Sequence, residues 1–126
     1  MHYKALIELK EGHKDKANEI WNGMLKKYPD IKGPYFEKAV VNSYNGEWED
    51  AILCFEKDFE LMEKPRYIDS LDAIAQIYEI TGDYQKAIET YERYIQLLQN
   101  EWNVVEGELV DHPKREIERL TKRIGR

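Results

Sequence analysis

The stretch TGDYQKAIETYERYI, residues 81–95, carries the features that decide the fold. Gly82 can adopt the left-handed conformation that ends a helix, and Asp83 is a good N-cap for the next one. Apolar residues then recur at spacings of three and four, which is typical of one face of an α-helix. A similar face precedes the turn, so residues 68–98 are predicted to form a helical hairpin. The two faces are Leu71, Ile74, Ala75 and Tyr78, then Tyr84, Ala87, Ile88, Tyr91, Ile95 and Leu98.

Two weaker copies of this stretch lie upstream, EGHKDKANEIWNGML at 11–25 and NGEWEDAILCFEKDF at 45–59. The three turn glycines, Gly12, Gly46 and Gly82, are separated by 34 and 36 residues. Each has an alanine seven residues before it, an alanine five residues after it, and an aromatic residue four positions further on. Small residues let two helices approach closely, and the aromatic fills the space beside them. An unrelated helical bundle has no reason to keep this register. The residues concerned are Ala5, Ala17 and Trp21, then Ala39, Ala51 and Phe55, then Ala75, Ala87 and Tyr91.

These copies resemble the tetratricopeptide repeat, whose pattern has a small residue and an aromatic in each helix pair at a 34-residue period. The third copy matches best, although Gln99 replaces the usual proline, which the first copy keeps as Pro29. The first helices of copies one and two depart from the pattern. The departures are Lys4 and Lys38 in place of leucine, Glu8 and Asn42 in place of tyrosine, and Asp58 in place of a small residue. The resemblance covers about residues 1–100 and implies an all-α, right-handed superhelix of three hairpins, over about 1–31, 32–66 and 67–100, within a single domain spanning 1–126.

The C-terminal segment PKREIERLTKRIGR predicts one more helix, over about 111–126, which makes seven helices in all. Pro113 suits the first turn, with Asp111 or His112 as its cap. Ile117, Leu120 and Ile124 form a narrow apolar stripe. Because a stack of repeats ends in an exposed apolar face, this helix is predicted to be the cap that covers it.

Charge divides the chain unevenly between this helix and the rest. The net charge is −6, yet residues 111–126 hold six Lys/Arg against three acidic residues, a charge of +3, which leaves −9 on the other 110 residues. Two further hypotheses for the basic helix are a contact surface for an acidic partner or nucleic acid, and self-association with the acidic part of a second copy. The overall acidity argues against nucleic acid as the main partner.

Composition favours a cytoplasmic protein without a membrane segment. The longest apolar run, residues 51–55, is far shorter than the roughly 20 residues that span a bilayer. The N-terminus, MHYKALIELKEG, lacks the apolar block of a secretory signal. A single cysteine excludes an internal disulfide framework and suits a reducing compartment.

No constellation of catalytic residues is present in the sequence. His2, His13 and His112 lie far apart without metal-ligand spacing, and no glycine-rich phosphate loop occurs. Cys54 lies in an apolar run, where a buried structural thiol is expected rather than a nucleophile. The sequence therefore predicts a protein that is not an enzyme and has no cofactor or metal.

The resemblance implies that one side of each first helix faces a concave groove that holds a peptide or helix of a partner. The residues predicted to face it are Leu6, with Leu9 and His2 as further candidates, then Phe36, Glu37, Val40 and Tyr44, then Asp69, Asp72, Gln76 and Glu79. Some family members clamp a partner's terminal carboxylate there, but these residues are mostly acidic or apolar and favour a basic peptide with a hydrophobic anchor. An alternative interpretation assigns these residues no partner. The acidic residues then only keep the surface soluble, and Phe36 and Tyr44 pack between hairpins.

The leading prediction of function is a non-catalytic scaffold or adaptor for protein–protein interaction. A second hypothesis is a regulatory part of a bacterial transcription-regulation system. It follows from a loose similarity of YERYIQLLQNEWNVVEG, with REIERL downstream, to the helical activation domain of some bacterial regulators.

Overall fold

The structure is a computed structural model, and it describes residues 34–125 of the chain. This part of the chain is all α-helical and contains no β-strand, which confirms the predicted all-α class. The first predicted hairpin, with two of the seven expected helices, lies outside the described residues. The five described helices are α1 (Pro34–Tyr44), α2 (Trp48–Leu61), α3 (Asp69–Ile80), α4 (Tyr84–Trp102) and α5 (Glu108–Arg123).

The chain divides into two compact units between Leu61 and Met62. The described part of the first unit is a hairpin of α1 and α2. Gly46, at φ +72°, makes the turn between the helices, and the Glu47 backbone N–H donates to the Asn42 carbonyl at 2.8 Å. Residues with a Cβ rarely adopt this φ, so the glycine of the repeat register has a defined structural role.

The α1–α2 hairpin buries the small and aromatic residues that the repeat register predicts. Ala39 and Ala51 are fully buried, and Phe55 is 3% exposed. The Phe36 ring meets the Phe55 ring edge-on, with centroids 5.4 Å apart. Cys54 is buried as predicted, and its burial raises the pKa of the thiol. A thiol with a raised pKa holds little thiolate and is a poor nucleophile.

The second unit, residues 62–126, contains the hairpin from which the sequence argument began. Gly82 has φ +84°, and the Asp83 backbone N–H donates to the Tyr78 carbonyl at 2.8 Å, which closes the end of α3. The Asp83 side chain caps α4 by accepting from the Lys86 backbone N–H at 3.4 Å. The predicted turn glycine and N-cap are both confirmed.

The interior of this hairpin contains the predicted apolar residues. Ile74, Ala75 and Ala87 are fully buried, and Tyr91 is 2% exposed. Alanine on both helices at this level lets them approach closely, and the Tyr91 ring occupies the adjoining space. The register of the sequence thus corresponds to the contact between the helices.

The predicted start of the last helix was wrong by three residues. Helix α5 begins at Glu108, with Gly107 (φ +100°) as its N-cap, rather than at Asp111 or His112. Pro113 therefore lies inside the helix. As the sixth residue of α5, Pro113 has no N–H to donate to the Leu109 carbonyl, so one backbone hydrogen bond of the helix is missing there. Helix α4 ends at Trp102, four residues beyond the end of the predicted hairpin.

The earlier start adds one buried residue, Val110, to the apolar side of α5. Val110 and Pro113 are buried together with Leu120, which is 0% exposed. The predicted stripe is confirmed for Leu120, while Ile117 and Ile124 are half-buried. Helices α3 and α5 both pack against α4. Helix α5 therefore covers part of the repeat hairpin.

Candidate protein-binding surface

In the first unit, the residues predicted for the groove divide into packed and exposed ones. Phe36 contacts Phe55 within the hairpin, and Glu37 and Val40 are half-buried. Tyr44, at the end of α1, is 84% exposed. An aromatic ring so open to solvent is the strongest candidate for partner contact on α1. Leu6, with Leu9 and His2, lies outside the described residues.

In the second unit, α5 lies against two of the four acidic or polar residues predicted for the groove. Asp69 and Gln76 on α3 are exposed, and Gln76 donates a hydrogen bond to Asp72 at 2.9 Å. Asp72 and Glu79 are half-buried and face side chains of α5. The assignment of these residues to a partner-binding face stays a prediction, and Asp69 and Gln76 are the more accessible candidates.

Glu79 and Arg119 form a two-pronged ion pair between α3 and α5. Both guanidinium Nη atoms donate to the Glu79 carboxylate at 2.7 Å, and Nε donates to Glu116 at 2.6 Å. The hydrogen bonds from Arg119 lower the pKa of Glu79. Arginine binds carboxylates in this fork geometry with well-defined orientation, so the pair fixes how α5 sits on α3.

We expect the Glu79–Arg119 pair to contribute about 0.5–1 kcal/mol to stability, because both side chains are partly open to solvent. Urea unfolding of Glu79→Gln, Arg119→Gln and the double variant measures this coupling. Since the folded-state pKa of Glu79 is lowered, its contribution is present above the ordinary carboxyl pKa of about 4.5 and is lost as pH falls through the lowered value.

The matched control is the Glu118–Lys122 pair within α5, which is 3.3 Å long and much more exposed. Its coupling should be smaller, and its removal should leave the docking of α5 unchanged. A Glu79–Arg119 coupling energy no larger than that of the control pair would contradict a role of Arg119 in fixing α5 on α3.

A second contact between α5 and α3 involves His112. Its Nε2 lies 3.6 Å from Asp72 Oδ1, and its ring lies near the buried rings of Tyr91 and Tyr94, each at 6.2 Å between centroids. Burial, with the nearby Asp72 and Asp69 charges, raises the pKa of Tyr94 to about 12, so its hydroxyl stays protonated. His112 therefore joins the repeat core to the cap helix, a role that its place in the sequence did not suggest.

An apolar pocket of about 190 Å³ opens in the second unit where the ends of three segments meet. It is lined by residues just before α3, at the end of α4 and in the loop that follows it, and at the start of α5. These residues are Tyr67, Ile68, Leu98, Trp102, Val104 and Leu109. We call it the end pocket. Sequence reasoning missed it, because its wall comes from three separate segments that carry no shared motif.

One wall of the end pocket is held by polar contacts between the segment before α3 and the end of α4. The Arg66 guanidinium and backbone N–H both donate to the Glu101 carboxylate, at 2.6–3.3 Å. These hydrogen bonds lower the pKa of Glu101. Trp102 Nε1 donates to the Arg66 carbonyl at 2.6 Å, and the Tyr67 and Trp102 rings lie 6.0 Å apart. The two aromatic side chains of the pocket are thus fixed in place.

In residues 34–125, no group of three or more His, Cys, Asp or Glu side chains is arranged to hold a metal ion. Within the same range, no helix has the length and apolar character needed to cross a membrane. The surface features that stand out are instead exposed apolar and aromatic side chains, which are typical of contacts with other proteins.

Comparison with known proteins identifies the hairpin of α3 and α4. The architecture places it among helical hairpins that bury alanines and one aromatic between two helices. A family model described as tetratricopeptide repeat matches residues 70–101, which confirms the resemblance for the third of the three copies. The chain therefore contains a tetratricopeptide repeat. Such repeats generally mediate protein–protein interaction and typically act as non-catalytic scaffolds. A search of curated proteins gave no significant match.

Proposed function

We propose that this protein is a non-catalytic interaction module that binds a peptide or helix of a partner protein. The observation that supports the proposal best is the match of residues 70–101 to the tetratricopeptide repeat model, together with the burial of the predicted core residues in the α3–α4 hairpin. Because that core is filled by side chains of the hairpin itself, the surface is what remains for a partner. Repeat proteins of this kind present their first helices to partners.

The partner chemistry follows from the residues that remain exposed. Of the predicted groove residues, Tyr44 on α1 and Asp69 and Gln76 on α3 are the exposed ones. Helix α3 already binds one guanidinium group, that of Arg119, through the Glu79 carboxylate. We propose a partner segment with lysine or arginine next to an apolar residue, as complementary charge gives specificity.

A photo-crosslinking amino acid placed at Tyr44 tests this proposal directly. We expect it to capture a discrete partner in native cytosol. The control carries the crosslinker at Leu53, which is 67% exposed on α2 and outside the predicted face. Mass spectrometry of the adduct then identifies the crosslinked peptide of the partner.

The identity of the adduct separates the hypotheses for this protein. An adduct at position 44 whose crosslinked peptide is basic and carries an apolar residue supports the proposal. Equal capture at positions 44 and 53, or no discrete adduct, overturns it. An adduct with a second copy of the chain assigns the face to self-association, and one with a transcription regulator or polymerase supports the regulatory hypothesis.

A further inference from the structure

We propose that the end pocket is an anchor site that takes one leucine-sized or phenylalanine-sized side chain of a basic partner peptide. This rests on the proposed protein-binding function and adds a candidate contact in the second unit. The pocket volume of about 190 Å³ exceeds the roughly 150 Å³ of a cavity known to bind benzene. A single apolar side chain therefore fits.

The walls of the pocket specify a hydrocarbon group rather than a polar one. Trp102 could have offered a donor, but its Nε1–H is already bonded to the Arg66 carbonyl. The other lining side chains are aliphatic, apart from the ring of Tyr67. Tyrosine and tryptophan at the mouth of an apolar pocket are typical of the residues that dominate binding energy at protein interfaces.

The surface around the pocket is unusually apolar for a solvent-facing region. Tyr67 is 65% exposed, Trp102 38%, and Leu109 54%, and Val105 in the adjoining loop is 62% exposed. Together they account for four of the seven large hydrophobic side chains that are exposed in the described part of the chain. Apolar side chains gathered around one concave site indicate an interaction surface, whereas single scattered ones do not.

Charge indicates which peptide would fit. The segments that line the pocket, residues 67–69 and 102–109, contain Asp69, Glu106 and Glu108 and no lysine or arginine. Arg115 pairs with Glu108, which leaves Asp69 and Glu106 as exposed carboxylates in these segments. Lysine or arginine on either side of the anchor would complement them, and acidic flanks would be repelled.

The pocket is also formed in advance of binding. The Arg66–Glu101 contacts and the Trp102–Arg66 hydrogen bond hold its aromatic wall in the free protein. A preformed site spends less free energy on ordering its side chains when a ligand binds. The anchor residue is therefore expected to bind without rearrangement of α4 or α5.

Three short amidated peptides on the full chain test the anchor site. One has a central leucine flanked by lysines, one a central alanine with the same lysines, and one a central leucine flanked by glutamates. The readout is the ¹⁵N–¹H resonance of the Trp102 indole, assigned with Trp102→Phe. We expect saturable shifts with the lysine-flanked leucine peptide and affinities at least about tenfold weaker for the other two.

Two variants locate the site. Leu109→Gln places a polar group in the pocket wall at the exposed start of α5 and should weaken the leucine peptide at least about tenfold. Ile80→Gln makes the same kind of change at an exposed residue of α3 that does not line the pocket, and should leave affinity within about twofold. Circular dichroism of both variants shows whether the helical content is kept.

Several results would overturn the anchor site. These are no shift of the Trp102 resonance up to millimolar peptide, equal binding of the glutamate-flanked peptide, or equal losses in both variants. Shifts that depend on protein concentration alone would assign the pocket to a second copy of the chain. If these peptides fail while crosslinking at Tyr44 succeeds, only the anchor site falls and the proposed function stands.

Discussion

Replacing Tyr91 with alanine is expected to lower the free energy of unfolding by about 3–5 kcal/mol. Tyr91 is 2% exposed and is the aromatic residue of the repeat register between α3 and α4. Its ring also lies near those of Tyr94 and His112, at 6.3 and 6.2 Å. Truncation removes buried apolar surface and leaves a cavity that the surrounding helices fill only in part. Because small proteins are stable by only about 5–15 kcal/mol, this is a large loss.

Urea unfolding followed by circular dichroism measures the loss, and amide hydrogen exchange shows where it acts. Protection should fall across α3, α4 and α5, since Tyr91 contacts the core that they share. Tyr91→Phe, which keeps the ring, should retain most of the stability. The exposed neighbour Glu92→Ala should change stability by no more than about 0.5 kcal/mol. A loss under about 1 kcal/mol for Tyr91→Ala would contradict the assignment of Tyr91 to the repeat core.

The second large effect is expected from Leu120→Ala in α5, with a loss of about 2–5 kcal/mol. Leu120 is 0% exposed and belongs to the apolar side of α5, the helix that packs on α4. The other contacts of α5 with α3, through Arg119 and His112, are partly solvent-exposed and contribute less. Removing the buried side chain should therefore weaken docking of the whole helix.

Hydrogen exchange distinguishes local undocking from global unfolding. We expect amides of α5 to lose most of their protection in Leu120→Ala, while amides of the α3–α4 hairpin lose less. Lys114→Ala, an exposed change in the same helix, provides the comparison and should leave protection in place. Equal loss in α3, α4 and α5 would show that the cap helix and the repeat unfold as one cooperative unit.

The burial of the repeated alanines and the turns at the repeated glycines could be predicted from the sequence. The alanines Ala39, Ala51, Ala75 and Ala87 are all fully buried. Gly46 and Gly82 both have positive φ. These properties depend on a helix period and a tight turn within about 35 residues, and local periodicity contains that information.

The start of α5, which follows a loop, was predicted less well. The start of α5 was placed at residue 111 because Pro113 and Asp111 form a familiar helix-start pattern, yet the helix begins at Glu108. Gly107, at φ +100°, supplies the turn into the helix, and packing of Val110 supports the additional residues. Helix ends depend on such contacts as much as on local preference, which is why propensity alone misplaces them.

The sequence by itself determined the helical hairpins, their turns, and which faces of α2, α3 and α4 are buried. Only the tertiary structure decided which residues on α3 remain accessible: Asp69 and Gln76 are open, whereas Asp72 and Glu79 face α5. It also decided that Tyr67, Trp102 and Leu109 share one pocket. The physical reason is how far apart in the sequence the contacting residues lie. A helix face follows from neighbours three and four residues away, but Glu79 and Arg119 are 40 residues apart, and their contact depends on how whole helices pack.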